Sequence, residues 1–178
     1  MKKREFRSEA LKKLKKASLQ GAYQKDKKII KELYKEIVMS NAQSIMLYVP
    51  LKIEVNLYPL ISRLRKEKRQ LYVPFMEGTS FRLVKYRLPL YKKQFGIKEP
   101  KDSKQIKRKQ IDIAIVPIVG VDITYRRVGF GKGMYDRFFE KNHKNIKKVV
   151  FVARELCYSK EVVTDHYDVK ADRIITAT

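Results

Sequence analysis

The chain has few of the residues that covalent or metal cross-links require. Among its 178 residues there are one cysteine, two histidines and no tryptophan. A single cysteine, Cys157, excludes an internal disulfide and indicates a reducing compartment. Together with His143 and His166 it does not supply the tetrahedral ligand set of a structural zinc site. A hydrophobic core must therefore hold the fold, and the chain is long enough to form one.

Acidic residues and long apolar runs are also scarce. Nineteen Asp and Glu stand against 42 Lys and Arg, which gives a net charge of +23. This excess favours polyanionic partners such as nucleotides, polyglutamates or nucleic acid, although solvated lysine faces give the same count. No run approaches the length of a membrane span, and no apolar leader segment follows the basic N-terminus. We therefore expect a cytoplasmic protein without a membrane partner.

Helical and strand patterns alternate along the chain. Apolar residues at helical spacing predict helices over 2–18, 23–39 and 56–68, and another from Tyr135. Short apolar runs predict strands over 44–49, 70–73, 81–86, 111–116, 148–153 and 173–176. This alternation predicts an α/β fold, a single three-layer domain over residues 1–178 with a mainly parallel, Rossmann-like sheet flanked by helices. The polar segment 87–110 is predicted to be a surface excursion.

The chain has only seven glycines, yet three of them alternate within residues 126–136, RRVGFGKGMYD. Without side chains at Gly129, Gly131 and Gly133, the backbone N–H groups can turn inward and bind an anion such as phosphate. The helix that follows would point its positive end at the same anion. Asp136 lies where a carboxylate could hold a divalent cation that bridges phosphate oxygens. The spacing matches neither a Walker A loop nor GxGxxG, and a glycine-rich connector with solvated cations fits it equally well.

Two other groups are candidates for the same site. Lys3 and Arg7 are four residues apart on one face of the first predicted helix, so they could clamp phosphate or form a solvated face. Residues 165–172, DHYDVKAD, precede the last predicted strand and place three aspartates close together in an otherwise basic chain. Asp168 or Asp172 could complete a magnesium shell with Asp136, or could cap turns, and the residue pattern alone favours turns.

These motifs resemble, nearly end to end, those of the 5-formyltetrahydrofolate cyclo-ligases, also called methenyltetrahydrofolate synthetases. Residues 3–7, KREFR, resemble the family's K-x-x-[LF]-R, and Glu54 follows the first strand as the family's glutamate does. Residues 96–100, GIKEP, resemble G-I-x-E-P. Residues 112–136, DIAIVPIVGVDITYRRVGFGKGMYD, are similar to D-x-I-x-V-P-G-x-x-F-D-x-x-G-x-R-x-G-x-G-x-G-Y-Y-D. Residues 168–172, DVKAD, resemble the closing D-V-x-V-D.

The resemblance implies an enzyme that uses ATP and Mg²⁺ to convert 5-formyltetrahydrofolate to 5,10-methenyltetrahydrofolate, releasing ADP and phosphate. It assigns ATP binding to Lys3, Arg4, Arg7, Arg127, Gly129, Gly131, Lys132, Gly133, Met134 and Tyr135. It assigns catalysis to Arg127, Lys132 and Tyr135. It assigns the folate to Val49, Glu54 and Tyr135, and the metal to Asp136 and Asp168. Reduced folate and ATP are then the expected partners of a monomer.

The chain departs from the family pattern at several positions. Tyr125 stands where glycine is usual, and Met134 replaces the first of two paired tyrosines. After Glu54, Asn56 and Leu57 replace the family's Asp and Thr. Near the C-terminus, Cys157 replaces a frequent glutamine and Tyr167 replaces a histidine. Tyr125 and Met134 concern the shape of the glycine-rich segment and the role of the first tyrosine, whereas the other departures concern substrate contacts more than ATP contacts.

A basic RNA-binding protein without catalysis is the alternative. The charge of +23 and eleven tyrosines could form a basic surface on which bases stack. No RNP1-like run and no zinc-finger spacing occurs in the sequence. Nucleic acid is therefore not the expected partner.

Overall fold

A computed structural model describes residues 1–101 and 110–177. The helices are α1 (Lys3–Leu19), α2 (Ala22–Met39), α3 (Tyr58–Lys66) and α4 (Met134–Asn142). The strands are β1 (Ser44–Met46), β2 (Gln70–Glu77), β3 (Ser80–Lys85), β4 (Leu90–Lys92), β5 (Lys98–Pro100), β6 (Ile113–Pro117), β7 (Gly120–Asp122), β8 (Arg127–Val128), β9 (Val149–Val152), β10 (Tyr158–Ser159) and β11 (Arg173–Ile175).

The main sheet has the strand order β11-β9-β6-β1-β2-β3. Its neighbours pair in parallel, except that β3 returns antiparallel to β2 through a hairpin. Parallel neighbours need crossover connections, and α3 supplies the one from β1 to β2 and α4 the one from β6 to β9. The predicted α/β fold with a mainly parallel, helix-flanked sheet is therefore confirmed.

Helices cover both faces of the main sheet. Ile29 of α2 and Leu60 of α3 belong to the core on one face, and Phe6 of α1 and Phe138 of α4 belong to the core on the other. Because the strands are buried on both faces, their sequences read as continuous apolar runs instead of alternating ones. No helix in the described part of the chain has both the length and the apolar character needed to cross a membrane.

The central strands β1 and β6 are neighbours at the point where the order of connections reverses. From β1 the chain continues through α3 to β2 on one side, and from β6 it continues through α4 to β9 on the other. The loops that leave such a pair diverge and open a crevice in which α/β proteins bind ligands. The segments that follow β1 and β6 carry most of the predicted site residues.

The sequence patterns missed a second sheet of strand order β10-β7-β8. β7 pairs in parallel with β10 and antiparallel with β8. These strands are two or three residues long, which is too short to show an alternating pattern. β8 ends directly before Gly129, so this sheet fixes where the glycine-rich segment starts.

The predicted end of the second strand and the predicted excursion 87–110 differ from the structure. β2 continues to Glu77, past Pro74, which pairs with Leu83 of β3. The N–H of Met76 points away from β3 to the Glu99 carboxylate, 2.8 Å away, so the Pro74 nitrogen faces that same side and the hairpin loses no bond. The predicted excursion 87–110 contains the antiparallel pair β4–β5, and its residues 102–109 lie outside the described residues.

Asp122 fixes the end of β7 to the segment that leads toward Asp168. Its buried carboxylate accepts hydrogen bonds from the backbone and hydroxyl of Thr124 and Thr164 and from the backbone of Val163, at 2.6 to 2.9 Å. Burial opposes ionisation, but these hydrogen bonds outweigh it and hold the pKa of Asp122 well below its ordinary value.

We expect Asp122→Asn to lower the free energy of unfolding at pH 7 by about 2–3 kcal/mol, because an amide group would face donors only. The carboxylate stabilises the fold above the unfolded-state pKa of about 3.9 and loses that effect as the pH falls through its depressed folded-state pKa, so the difference should narrow in acid. Chemical denaturation at several pH values measures both effects. A loss no larger than that of Glu9→Gln, an exposed substitution on α1, would contradict this role.

Candidate active site

The glycine loop, residues 129–133, joins β8 to α4 and lies against the side chains of Arg7, Arg127 and Arg137. A Cβ at Gly129 would lie 2.2 Å from Nη1 of Arg127, so only glycine fits there. Gly133 has φ +63 and precedes the first residue of α4. Arg7 of α1 donates from Nε to the Gly129 carbonyl, 2.8 Å away. The first helix and the glycine loop, distant in sequence, are therefore in direct contact.

An open cleft of about 560 Å³ lies between α1, the glycine loop and residues 166–168. Nine of the predicted site residues line it: Lys3, Arg7, Arg127, Gly129, Gly131, Lys132, Gly133, Asp136 and Asp168. Arg137, Glu140, His166 and Tyr167 complete the lining. We call this the cationic cleft, because lysine and arginine outnumber carboxylates in its wall.

Arg127 is buried at the back of the cationic cleft, with 4% of its surface exposed. Its Nε and Nη2 donate to the carbonyl of Pro117 at the end of β6, at 3.0 and 2.9 Å. Its guanidinium lies 4.7 Å from the ring centroid of Tyr135. Burial lowers the pKa of Arg127, while Asp136 and Tyr135 act against that shift. Arginine nevertheless stays protonated in proteins, so a fixed positive charge lies here.

Two carboxylates lie near the start of α4. Asp168 is buried and accepts from Nζ of Lys3 at 2.5 Å and from the backbone of Asp165 at 2.7 Å. Asp136 accepts a long contact of 3.5 Å from the backbone of Val169. Asp172, the alternative to Asp168, instead accepts from the backbone of Val149 and does not line the cleft.

The cationic cleft offers few protein ligands for a magnesium ion. No group of three or more Asp, Glu, His or Cys side chains that could hold a metal occurs among residues 1–101 and 110–177. Mg²⁺, however, is commonly bound by one or two carboxylates together with water and substrate phosphates. Asp136 and Asp168 therefore fit an ion that takes its other ligands from a bound phosphate.

A second, smaller pocket of about 60 Å³ lies on the other side of Tyr135. We call it the apolar pocket; it is lined by Tyr48, Val49, Leu51, Glu54, Pro74, Met76, Phe81, Ile97, Lys98, Met134 and Tyr135. All the predicted folate residues, Val49, Glu54 and Tyr135, are in this wall. Because Tyr135 lines this pocket while Arg127 lines the cationic cleft, their stacked side chains form the boundary between the two.

Glu54 places a carboxylate in the wall of the apolar pocket. Its Oε2 accepts from the backbone of Leu51 at 2.8 Å, and its own N–H donates to the Leu51 carbonyl at 2.9 Å. Burial raises the pKa of Glu54 to about 7, although the Leu51 N–H and the charges of Arg127 and Arg154 oppose the shift. Burial likewise raises the pKa of Tyr135, which is therefore a neutral hydrogen-bond donor at physiological pH.

Three predicted ATP residues, Arg4, Met134 and Tyr135, lie elsewhere than the cleft wall. Arg4 is exposed on α1 and does not line the cationic cleft. Met134 faces the apolar pocket, and its carbonyl accepts from the Ser80 hydroxyl at 3.1 Å. Their assignment to ATP stays a prediction.

The departures from the family pattern fit their surroundings. Tyr125 has φ +58, so it adopts the left-handed conformation that a glycine would take there. Leu57 and Cys157 are buried in the core. Tyr167 is exposed at the rim of the cationic cleft and donates from its hydroxyl to Asp165 at 2.9 Å.

Arg137 and Phe95 were missed by the sequence patterns. Arg137 lines the cationic cleft and donates from Nε to the Thr79 carbonyl at 2.8 Å and from Nη2 to the Lys132 carbonyl, so it braces the glycine loop. The Nζ of Lys132 lies 4.7 Å from the ring centroid of Phe95. The sequence could have predicted Arg137, because a residue four positions after Gly133 lies next to it on the same face of the helix.

A cationic cleft and an apolar pocket that meet at the switch point of a parallel sheet define an α/β enzyme site for an anionic small molecule. The sequence pattern of the 5-formyltetrahydrofolate cyclo-ligase family matches residues 1–177, so the chain belongs to this enzyme family. The resemblance and the enzyme class predicted from the motifs are thereby confirmed.

Individual relatives agree with this membership. The chain is 28% identical over 158 residues to a 5-formyltetrahydrofolate cyclo-ligase of Haemophilus influenzae, covering 83% of this chain and 82% of the relative. It is similar to the NMR structure of Aquifex aeolicus 5,10-methenyltetrahydrofolate synthetase, with a TM-score of 0.80 and 31% identity over 100% of this chain and 91% of that one. A Mycoplasma pneumoniae 5,10-methenyltetrahydrofolate synthetase shares the fold, with a TM-score of 0.75, 24% identity and 98% coverage of both chains.

We expect Glu54→Gln to stabilise the fold in alkaline solution. The folded-state pKa of about 7 lies above the ordinary 4.5, so the folded state binds the proton more tightly and stability falls as the pH rises from 4.5 to 7. Above pH 7 the glutamine variant should be more stable by about 3 kcal/mol. Thermal denaturation between pH 4 and 9, with Glu9→Gln as the control, measures this, and parallel pH profiles of wild type and Glu54→Gln would contradict it.

Proposed function

We propose that the protein catalyses the ATP- and Mg²⁺-dependent conversion of 5-formyltetrahydrofolate to 5,10-methenyltetrahydrofolate, with release of ADP and phosphate. Membership of the cyclo-ligase family supports the reaction. The observation that carries the proposal for this chain is the 4.7 Å contact between Arg127 and the ring of Tyr135. A phosphate in the cationic cleft and a folate in the apolar pocket would meet at this boundary.

The cationic cleft is suited to a triphosphate. Lys3, Arg7 and Lys132 bring positive charge from two separate elements, and Arg127 adds a buried one. The N–H groups of the glycine loop and the positive end of α4 act on the same space. In this proposal Arg4 contacts the nucleotide from the exposed side of α1.

The wall of the apolar pocket carries the kinds of group that a pterin ring would contact. A carboxylate pairs well with a ring edge that carries adjacent N–H donors, which is what Glu54 would face. Its pKa of about 7 allows it to be ionised when such donors are present. Val49 and the ring of Tyr135 then bound the flat faces of the substrate.

The chemistry follows from this arrangement. The formyl oxygen is a poor leaving group, so it first attacks the γ-phosphorus of ATP, and the bond between the γ-phosphorus and the bridging oxygen breaks to release ADP. The N10 nitrogen then attacks the activated formyl carbon and loses its proton, and the C–O bond breaks to release phosphate. Phosphoryl transfer needs positioning and charge neutralisation more than a protein nucleophile. Arg127 and Lys132 supply the positive charge, and the neutral Tyr135 hydroxyl can orient the formyl group.

Asp136 and Asp168 would hold the magnesium ion. When bound, the ion neutralises charge on the phosphate oxygens. Lys3, which is paired with Asp168, then has a phosphate oxygen as its alternative partner.

An absorbance assay for the methenyl product, with ATP and Mg²⁺ varied independently, tests the proposal. Product should form only when both are present. Folded protein that forms no product would overturn it. A titration of labelled RNA across salt concentrations tests the alternative, which requires an affinity that falls steeply with salt.

We expect Arg7→Ala to raise the KM for ATP by on the order of tenfold, because it removes a charge-assisted contact, and to leave the KM for folate within about twofold. Steady-state kinetics measure both constants. Lys12→Ala, on an exposed part of the same helix, should change neither. If Arg7→Ala changed the KM for folate more than the KM for ATP, the placement of α1 at the phosphate site would be contradicted.

We expect Asp136→Asn to raise the Mg²⁺ concentration for half-maximal activity by on the order of tenfold or more, because a metal ligand loses its charge. A magnesium titration at saturating ATP measures this. Unchanged magnesium dependence would exclude Asp136 as a ligand.

A further inference from the structure

A buried ion pair joins α2 to the segment after β9. Asp26 and Arg154 have 7% and 5% of their surface exposed. Arg154 donates from Nε and Nη2 to the two carboxylate oxygens of Asp26, at 2.7 and 2.9 Å. This two-pronged geometry fixes the orientation of both side chains. Neither residue lines the cationic cleft or the apolar pocket.

The same pair holds both ends of the short loop that carries Glu54. Arg154 donates from Nη1 to the carbonyl of Lys52 at 3.1 Å. Asp26 accepts from the backbone N–H of Asn56, also at 3.1 Å. The ion pair thus contacts the chain two residues before Glu54 and two residues after it.

Stability alone does not explain an ion pair in this place. Desolvation of two buried charges offsets much of their attraction, so apolar side chains of similar volume often stabilise a core equally well. Apolar side chains, however, would leave the Lys52 carbonyl and the Asn56 N–H without these partners. The pair therefore supplies directional contacts to a loop between two core elements.

We propose that Asp26 and Arg154 are positioning residues, which hold Glu54 in the orientation that binds the pterin ring. This inference rests on the proposed function, since it concerns the folate side of that site. The pair acts on folate binding and not on the nucleotide, because the loop that it contacts contributes Leu51 and Glu54 to the wall of the apolar pocket and no residue to the cationic cleft.

Arg154 also acts on Glu54 through charge. The charged groups that act on Glu54 are Arg127 of β8 and Arg154, while the carboxylate itself helps to raise the pKa of the buried phenols Tyr48 and Tyr135. Both arginines favour the carboxylate, so loss of Arg154 should raise the pKa of Glu54 further. This adds a readout that a purely structural role would not move.

Kinetics of Asp26→Asn, Arg154→Met and Arg154→Lys test the proposal. Asp26→Asn and Arg154→Met should raise the KM for 5-formyltetrahydrofolate by on the order of tenfold or more, since small misplacements of binding groups have large effects, and should leave the KM for ATP within about twofold. Arg154→Lys keeps the charge but not the fork, so its rise should be smaller. In Arg154→Met the pH profile of kcat/KM for folate should move to higher pH.

Glu36→Gln is the matched control. Glu36 is on the same helix, is equally buried, and pairs with Lys148 and Arg173 away from the loop. It should lower stability and leave both KM values unchanged. Equal rises in the two KM values for the Asp26 and Arg154 variants, or a rise for folate in Glu36→Gln, would overturn the proposal.

Amide hydrogen exchange separates this inference from the proposed function. Leu51 and Glu54 carry the N–H groups of the turn, and both should exchange faster in Arg154→Met and Arg154→Lys than in wild type. If wild type forms no methenyl product, the proposed function fails. Unchanged protection of these amides in folded variants would then overturn the positioning role by itself.

Discussion

The buried guanidinium of Arg127 is the element on which the rest of the site depends. It donates two hydrogen bonds to the carbonyl of Pro117, the last residue of β6. Because it fills the space that a Cβ of Gly129 would need, it also accounts for the glycine at position 129. Its other face covers Tyr135. A buried charge is costly unless it is paired, and the nearby carboxylates of Asp136, Glu54 and Asp168 all favour its charged form.

The distribution of charge around the two pockets follows from this buried cation. On the cationic side, lysine and arginine outnumber carboxylates, and one of these carboxylates, Asp168, is already paired with Lys3. On the apolar side, burial keeps Glu54 only weakly acidic and Tyr135 neutral. One wall thus separates a region that favours anions from a region that favours neutral, flat groups. This division is a local property of the site that the overall charge of +23 does not reveal.

The sequence alone predicts those parts of the fold that repeat a pattern over many residues. The helices and the inner strands were found because their apolar residues recur over several turns or fill a continuous run. β7, β8 and β10 were missed because strands of two or three residues contain no period. The predicted end of the second strand at 73 was wrong, since a proline can continue a strand when its nitrogen faces away from the partner.

The candidate site divides in a similar way. The glycines and the cations of α1 were found from local spacing and from family motifs. Arg137 could have been found from its position one helical turn after Gly133. The ion pair of Asp26 and Arg154 could not, because its members are far apart in sequence and meet only through the packing of α2 beside the sheet. Contacts of this kind leave no local pattern.

The docking of α1 on the rest of the molecule has a thermal consequence. The helix contributes Lys3 and Arg7 to the cleft. It is not part of the hydrogen-bonded strands of the main sheet and packs on that sheet through apolar residues that include Phe6, Ala10 and Leu14. An element held in this way can detach before the sheet melts. Heat inactivation would then precede global unfolding, and a ligand that bridges the helix and the glycine loop would postpone it by binding only the closed arrangement.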